Sequence, residues 1–465
     1  MKEHKFIKAL KDGTACTKIS LILWGIGYIC NGQVVKGVIK QLYQIFLIIF
    51  TALVTGNYIL KLGNLGTVQR EEVFDALTLT KKVNDYDNSL LILLGGIIGI
   101  LCIALYVFSC VDNVENVYEL QIEHKEGKHI NSFREDIKDL LGKKFHITLL
   151  TLPGIGIVVI KLIPILFMIC IAFTNYDKEH QPPTYLFTWR GLENFKTLFT
   201  TTSTITFGYV FARILIWTLI WAALATATTF LGGVFLAKFI CDKRTKFPKL
   251  WRSLFVLVIA IPQFVTLLLV GKMFGDYGII NSFCNSVGIT NFLQDIGVVS
   301  KGLSYIPFLS KPIWANIMVV LINIWVGVPF QMLSATGVIM NIPSDQLESA
   351  KIDGATDSQI FWKITIPYIL FVMGPSLLTG FIANINNFNV IYLLTNDYVT
   401  TNMNYANSNA KEVDLLITWL FTLTNEYSNY KMASVIGICV FVICAAFTLI
   451  SFSRMIAANK EEEYQ

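Results

Sequence analysis

Residues 90–108 read LLILLGGIIGILCIALYVF, nineteen positions without one charged residue. A run of that length crosses a hydrocarbon core of about 30 Å as a helix. Lipid supplies no water for the backbone N–H and C=O groups, so only helices or a closed barrel can span it. Working outward, eight such runs are found, at 36–61, 89–111, 152–174, 206–240, 252–274, 312–340, 366–395 and 431–455. The whole chain is 54% hydrophobic and 15% charged, where a soluble domain carries about a quarter charged residues. The expected fold class is an all-α integral membrane protein with about eight transmembrane helices. A shorter apolar piece, residues 19–30, is too short to span and reads as interfacial or re-entrant.

Loop charge sets the expected orientation, because Lys and Arg gather on the cytoplasmic side. With the N-terminus inside, the inner segments hold 20 Lys and Arg and the outer segments hold 9. Both termini are therefore expected in the cytoplasm. No cleavable signal peptide is evident behind the lysines of residues 1–18. Of nine cysteines, only Cys284 falls in an outer loop, which argues against a disulfide framework. No CxxC pair suggests a structural zinc site.

The expected domains are a cytoplasmic or interfacial segment at 1–35, two accessory spans at 36–111, a cytoplasmic connection at 112–151 and a core at 152–465. In the connection, Val114, Val117, Leu120 and Ile122 among many charges suggest an amphipathic helix on the surface. The outer segment 396–430, with Asn402, Asn404, Asn407 and Asn409, reads as a mobile loop.

Between the sixth and seventh spans runs Glu348-Ser349-Ala350-Lys351-Ile352-Asp353-Gly354-Ala355, then Ile364-Thr365-Ile366-Pro367. Pro343-Ser344-Asp345 reads as a turn with capping residues, and a short helix from about Gln346 would follow. Gly354 permits a backbone conformation closed to other residues. On pattern alone this is as readily a plain connecting helix. The spacing nevertheless resembles the cytoplasmic signature of binding-protein-dependent ABC importers, E-A-A, three residues, G, nine residues, I-x-L-P. Glu348, Ala350, Gly354, Ile364 and Pro367 match, while Ser349 replaces an alanine and Ile366 a leucine.

That resemblance implies the type I permease fold of ABC importers and makes residues 341–367 a coupling loop, with Glu348, Ser349, Ala350, Asp353, Gly354 and Pro367 facing a separate ATPase. Glu348 would pair with a basic group there. No G-x-x-x-x-G-K-[ST] phosphate loop occurs in the chain. The implied chain is thus no enzyme and binds no cofactor; ATP and Mg²⁺ belong to the partner. The implied partners are a second homologous permease, a dimer of cytoplasmic ABC ATPases, an extracytoplasmic sugar-binding protein and membrane lipid, with no nucleic acid.

Over most of 150–455 the resemblance narrows to the larger permease subunits of maltose and maltodextrin importers. It rests on Ile171–Tyr176, Asn323–Phe330, Asn384–Phe388 and Leu393–Asn396. Polar residues inside spans are costly and usually face a bundle interior or a wet cavity. Asn donates and accepts, which suits sugar hydroxyls. Asn384 and Asn387, three apart, can share one helix face, and Asn323, Gly327 and Phe330 can do so likewise. An isolated intramembrane asparagine more often only bridges helices. By resemblance, however, Asn323, Val326, Gly327, Phe330, Asn384 and Asn387 line a sugar site, and an ungapped alignment from Pro262 adds Gln263. Ala383 and Val328 stand where the family carries aromatic residues, which implies a pocket that is wider, or suited to a longer or different oligosaccharide. The outer segment 175–205 is also far shorter than the large outer domain of some family members.

Two other classes compete. An ion-coupled carrier would want buried acids, and no Asp or Glu falls within the eight runs. A polytopic membrane enzyme would want acidic or metal-binding residues at a membrane face, and the five histidines are scattered or lie in the charged connection.

Overall fold

The computed structural model describes residues 5–75, 80–200 and 206–462; the end of the charged tail, from Glu463, lies outside them. These residues fall into two compact units that divide between Leu192 and Glu193.

The first unit opens with three short helices, α1 (Lys5–Asp12), α2 (Ala15–Ile19) and α3 (Trp24–Cys30). A first span, α4 (Val34–Lys61), follows, then a two-stranded antiparallel hairpin of β1 (Glu72–Asp75) and β2 (Thr80–Val83). The helices α5 (Ser89–Lys125), α6 (Phe133–Leu141) and α7 (Phe145–Ile171) complete it. Asn88 caps α5, its side-chain oxygen accepting from the N–H groups of Leu90 and Leu91.

The apolar piece at 19–30 resolves into α3 and the turn before it. The first N–H groups of a helix have no partner within it, and in an apolar setting each must find one. Two glutamines on α4 supply them: Trp24 N donates to Gln44 Oε1 at 3.1 Å and Gly25 N to Gln41 Oε1 at 3.2 Å. The Gln44 amide also donates to Ile22 O and to the Tyr106 hydroxyl on α5.

Two expectations for this unit change. The stripe Val114, Val117 and Leu120 does not belong to a separate helix on the surface; it continues α5, which runs 37 residues, about 56 Å. Val114, Val117 and Leu120 are buried, and Val117 and Leu120 pack with Tyr28 of α3, so these three face protein, while Ile122 is exposed. Gln121 ties the same end of α5 to α2, accepting from Thr14 N, Thr14 Oγ1 and Thr17 Oγ1. Finally, Cys16 and Cys30 form a disulfide, Cα atoms 6.5 Å apart; the fold of α2 against α3 brings together two cysteines that sequence position kept separate.

The second unit carries α8 (Glu193–Phe199), α9 (Phe207–Cys241), α10 (Pro248–Ala260), α11 (Gln263–Met273), α12 (Ile279–Ser286), α13 (Ile289–Asp295), α14 (Pro312–Met340), α15 (Ser344–Ile352), α16 (Asp357–Leu394), α17 (Met403–Asn407), α18 (Leu416–Asn425) and α19 (Tyr430–Glu462). Its spine is α9. Trp221 and Ala225 pack with Met318, Val319 and Ile322 of α14, and with Val390 and Ile391 of α16. Lower on α9, Phe230, Val234 and Ala237 meet Met332 and Ala335 of α14, and Ile369 and Met373 of α16. Glycine permits this closeness: a Cβ on Gly233 would lie 2.8 Å from the carbonyl carbon of Gln331. Small residues at such crossings let membrane helices approach far enough to gain dispersion contacts.

The fifth run, 252–274, is not one straight span. It is the pair α10 and α11, bent by 89°, because Pro262 removes a backbone donor and restrains the residue before it. The described helices thus include seven long and apolar enough to span, or eight with this bent pair.

The asparagine-rich segment 396–430 is also not the loose loop its composition suggested. Asn402 caps α17 through Asn404 N, and Glu412 accepts from Thr401 N and Asn402 N. Asp414 is buried, accepting from Lys411 N at 2.7 Å and Thr418 Oγ1 at 2.8 Å. Burial pushes its carboxyl up to about 6, opposed by those hydrogen bonds. A folded-state value above the unfolded one means that proton binding favours the fold, and that this contribution is lost as pH rises through about 6. Wild-type thermal stability, measured against Asp414→Asn in the same detergent, should therefore rise as pH is lowered from about 7.5 to 5. A constant difference between the two proteins would contradict this.

Candidate substrate pathway and coupling loop

Loop 341–367 has a defined backbone. The helix α15 ends in a Schellman turn: Ala355 N donates to Ala350 O at 2.9 Å and Gly354 N to Lys351 O at 3.1 Å. That turn needs one residue in the left-handed region, and Gly354 has φ +82°. Thr356 and Gln359 then form a capping box that opens α16. Glu348, Ser349, Asp353 and Gly354 are exposed and Ala350 half-buried; the side chain of Ile352 is 86% exposed. The helix therefore presents both charge and apolar surface outward. Pro367 follows a π-helical turn at Phe361–Thr365, where it withholds the donor that the Lys363 carbonyl would meet in an α-helix.

An ion-pair cluster joins this loop to the end of α9. Arg244 makes a bidentate contact with Asp242, at 3.0 Å and 2.8 Å, and reaches Asp357 at 3.4 Å. Its guanidinium holds the Asp242 carboxyl below the usual carboxylate range.

Inside the bundle, part of the proposed polar set converges. Asn384 Nδ2 donates to Thr226 Oγ1 at 3.0 Å, and Asn387 Nδ2 to Asn384 Oδ1 at 3.3 Å. Trp221 Nε1 donates to Asn384 O. The helix α16 breaks just here: Asn386 ends one segment, and Asn387 caps the next by accepting from Val390 N at 3.4 Å. One turn along α9 from Thr226, Thr229 stands where a Cβ on Gly327 would come within 2.7 Å. Asn384 of α16 and Gly327 of α14 thus meet adjacent turns of the same face of α9.

The remaining residues are spread around that centre. Asn323 is 7% exposed, and among the described residues its amide finds no hydrogen-bond partner. Val326 packs against the core of Trp221, Ile322 and Val390. Phe330 is 60% exposed. Gln263 stands exposed where α11 begins, at the bend, and among the described residues it bonds to none of the others. Sequence reasoning missed Thr226 and Trp221. A threonine in a span gives little signal, because its hydroxyl can bond back to its own helix, as Thr229 does to Ala225 O.

Comparison with known proteins follows this geometry. A family model described as binding-protein-dependent transport system inner membrane component matches residues 229–459, which hold the coupling loop and the asparagine cluster. The maltodextrin transport system permease protein MdxF of Bacillus subtilis is 30% identical, over 95% of each chain. The galactooligosaccharides transport system permease protein GanP of the same organism is 31% identical, over 81% of this chain and 85% of its own. The maltodextrin permease protein MalC of Streptococcus pneumoniae is 29% identical over 95% of this chain and 96% of its own. A crystal structure of a bacterial ABC transporter that imports alginate overlays with a TM-score of 0.51 at 22% identity, covering 69% of this chain and 98% of that one, which shows the ABC importer permease fold. With its signature loop, its bundle and relatives matched nearly from end to end, this multi-pass chain belongs to the family of binding-protein-dependent transport system inner membrane components.

Proposed function

We propose that the chain is a permease subunit of an ATP-driven importer for maltose- and maltodextrin-type oligosaccharides. The observation that carries this reading is similarity along 95% of the chain to permeases named for maltodextrin transport. The substrate passes through a site lined in part by Asn323, Val326, Gly327, Phe330, Asn384, Asn387 and Gln263. Access alternates between the two faces as a partner ATPase, holding ATP and Mg²⁺, closes on α15 and pulls the bundle through residues 341–367. Both termini lie in the cytoplasm, residues 1–35 and 112–151 on the same side. A second permease and an extracytoplasmic binding protein complete the assembly. Galactosyl oligosaccharides are the second reading, since GanP is as similar in identity as the maltodextrin relatives.

Deleting the coding sequence in its host and measuring uptake of radiolabelled maltotriose and of a galactosyl trisaccharide tests both readings. Loss of maltotriose uptake alone supports the first, and loss of the galactosyl sugar alone the second; loss of neither removes both.

The asparagine cluster needs a control, because Asn384 also joins two helices. Thr226→Val removes only that helix-to-helix bond, worth about 0.6–1 kcal/mol in a membrane. Asn384→Ala should reduce uptake at least about tenfold, the equivalent of 1.4 kcal/mol, with Thr226→Val much closer to wild type. Equal losses would assign Asn384 to packing.

Gly354→Val places a β-branched side chain in the left-handed region, at a cost of about 1–3 kcal/mol. Its expected outcome is loss of the co-purifying ATPase and of uptake, with the chain still inserted in the membrane. Gly354→Asn, which tolerates that conformation, should keep both. Co-purification by affinity tag reads the result.

A further inference from the structure

Residues 238–252 hold six cations, Lys238, Lys243, Arg244, Lys246, Lys249 and Arg252, against one carboxylate, Asp242. Asp242 and Asp357 occupy Arg244. Lys238 Nζ lies 3.8 Å from the centre of the Phe361 ring. Among the described residues Lys243, Lys246 and Lys249 meet no carboxylate, and all three are exposed.

The same segment borders a cleft of about 570 Å³ at the end of α9. Phe235, Phe239 and Trp251 form its apolar walls; Lys238, Arg244 and Lys246 supply positive charge, and Asp242, the one carboxylate in the lining, is paired with Arg244. Phe239 and Trp251 meet edge to face, 6.4 Å between ring centres. At the tip of the loop Phe247 is 74% exposed and sits at φ +58°. A bulky side chain in the left-handed region is strained, and strain of this kind persists where something gains from it.

Aromatic rings at the end of a span and lysines beside them match the two layers of a membrane interface. Basic pockets between spans are suited to acidic lipid headgroups. We propose that this cleft binds a phospholipid with an anionic headgroup, its phosphate held by Lys238 and Lys246 and its acyl chains lying along Phe235, Phe239 and Trp251. Lys243 and Lys249 add to the attraction, and Phe247 inserts beside the lipid. The site stands whichever sugar the chain carries, and it needs no partner subunit.

The test is native mass spectrometry of the intact chain released from nanodiscs containing phosphatidylglycerol and phosphatidylcholine. Three proteins are compared: wild type, Lys243→Gln/Lys246→Gln/Lys249→Gln, and a control with Lys178→Gln/Lys301→Gln. Wild type and control should retain phosphatidylglycerol preferentially. The triple variant should lose at least about tenfold in its occupancy, since each lysine near an anionic surface contributes separately, with phosphatidylcholine unchanged. Phe247→Ser should weaken retention of both lipids. Size-exclusion profiles matching wild type establish that each variant is folded. Undiminished phosphatidylglycerol on the triple variant overturns the proposal. So does undiminished lipid with loss of a co-purifying ATPase, which would assign the cations to protein docking.

Discussion

The constraint on which the rest of this structure depends is that hydrocarbon cannot hydrogen-bond a peptide group. An unbroken helix meets it without help, but a helix that stops inside the bundle does not. Gln41 and Gln44 serve the start of α3, and Asn387 serves the restart of α16. Amides suit the task because each carries both donors and an acceptor. Gln41, Gln44 and Asn387 are therefore first of all repairs to the backbone, whereas, among the described residues, the Asn384 amide meets only the side chains of Thr226 and Asn387. A broken helix also leaves amides and carbonyls exposed toward the space around the break.

The same logic explains why α9 is the spine. It is unbroken over 35 residues, and it offers small or hydroxyl-bearing residues where its neighbours come close. Thr226 receives the amide at the break in α16, and Gly233 lets α14 approach. Packing in lipid gains little from excluding water, so close contact and a few hydrogen bonds must supply the association. An unbroken, self-satisfied helix is the reference against which the broken one can be positioned.

Much of this was legible in the sequence. Hydropathy located the spans because each residue in lipid is selected for the same property. Gly354 was legible because only glycine adopts the required φ without strain. Asn384 and Asn387 do meet, but not as two positions of one helix face: the helix expected to carry both ends at Asn386, and Asn387 caps the next segment. The partner Thr226 was not legible, because nothing local ties residue 226 to residue 384. The bend at Pro262 was signalled by the proline but hidden by apolar residues on both sides. The stripe on α5 was read correctly as amphipathic and assigned to the wrong surface, because hydropathy cannot say whether an apolar face meets lipid or protein. The link between Gln121 and Thr14 and Thr17, like the bridge between Cys16 and Cys30, depends on the fold of the first helices and has no local sign.

The length of α5 makes it a ruler. One continuous helix carries a span at one end and the docking positions Val117, Leu120 and Gln121 at the other. Their depth and angular direction are then set by counting residues. Removing one residue between the two ends would turn the far end by about 100° and draw it in by about 1.5 Å, taking Val117 off Tyr28. Removing four would nearly restore the direction, at about 40° of error, while shortening the rod by about 6 Å. Insertions and deletions in this helix are thus not equivalent to those in a loop, and their tolerance should follow the helical period rather than their number.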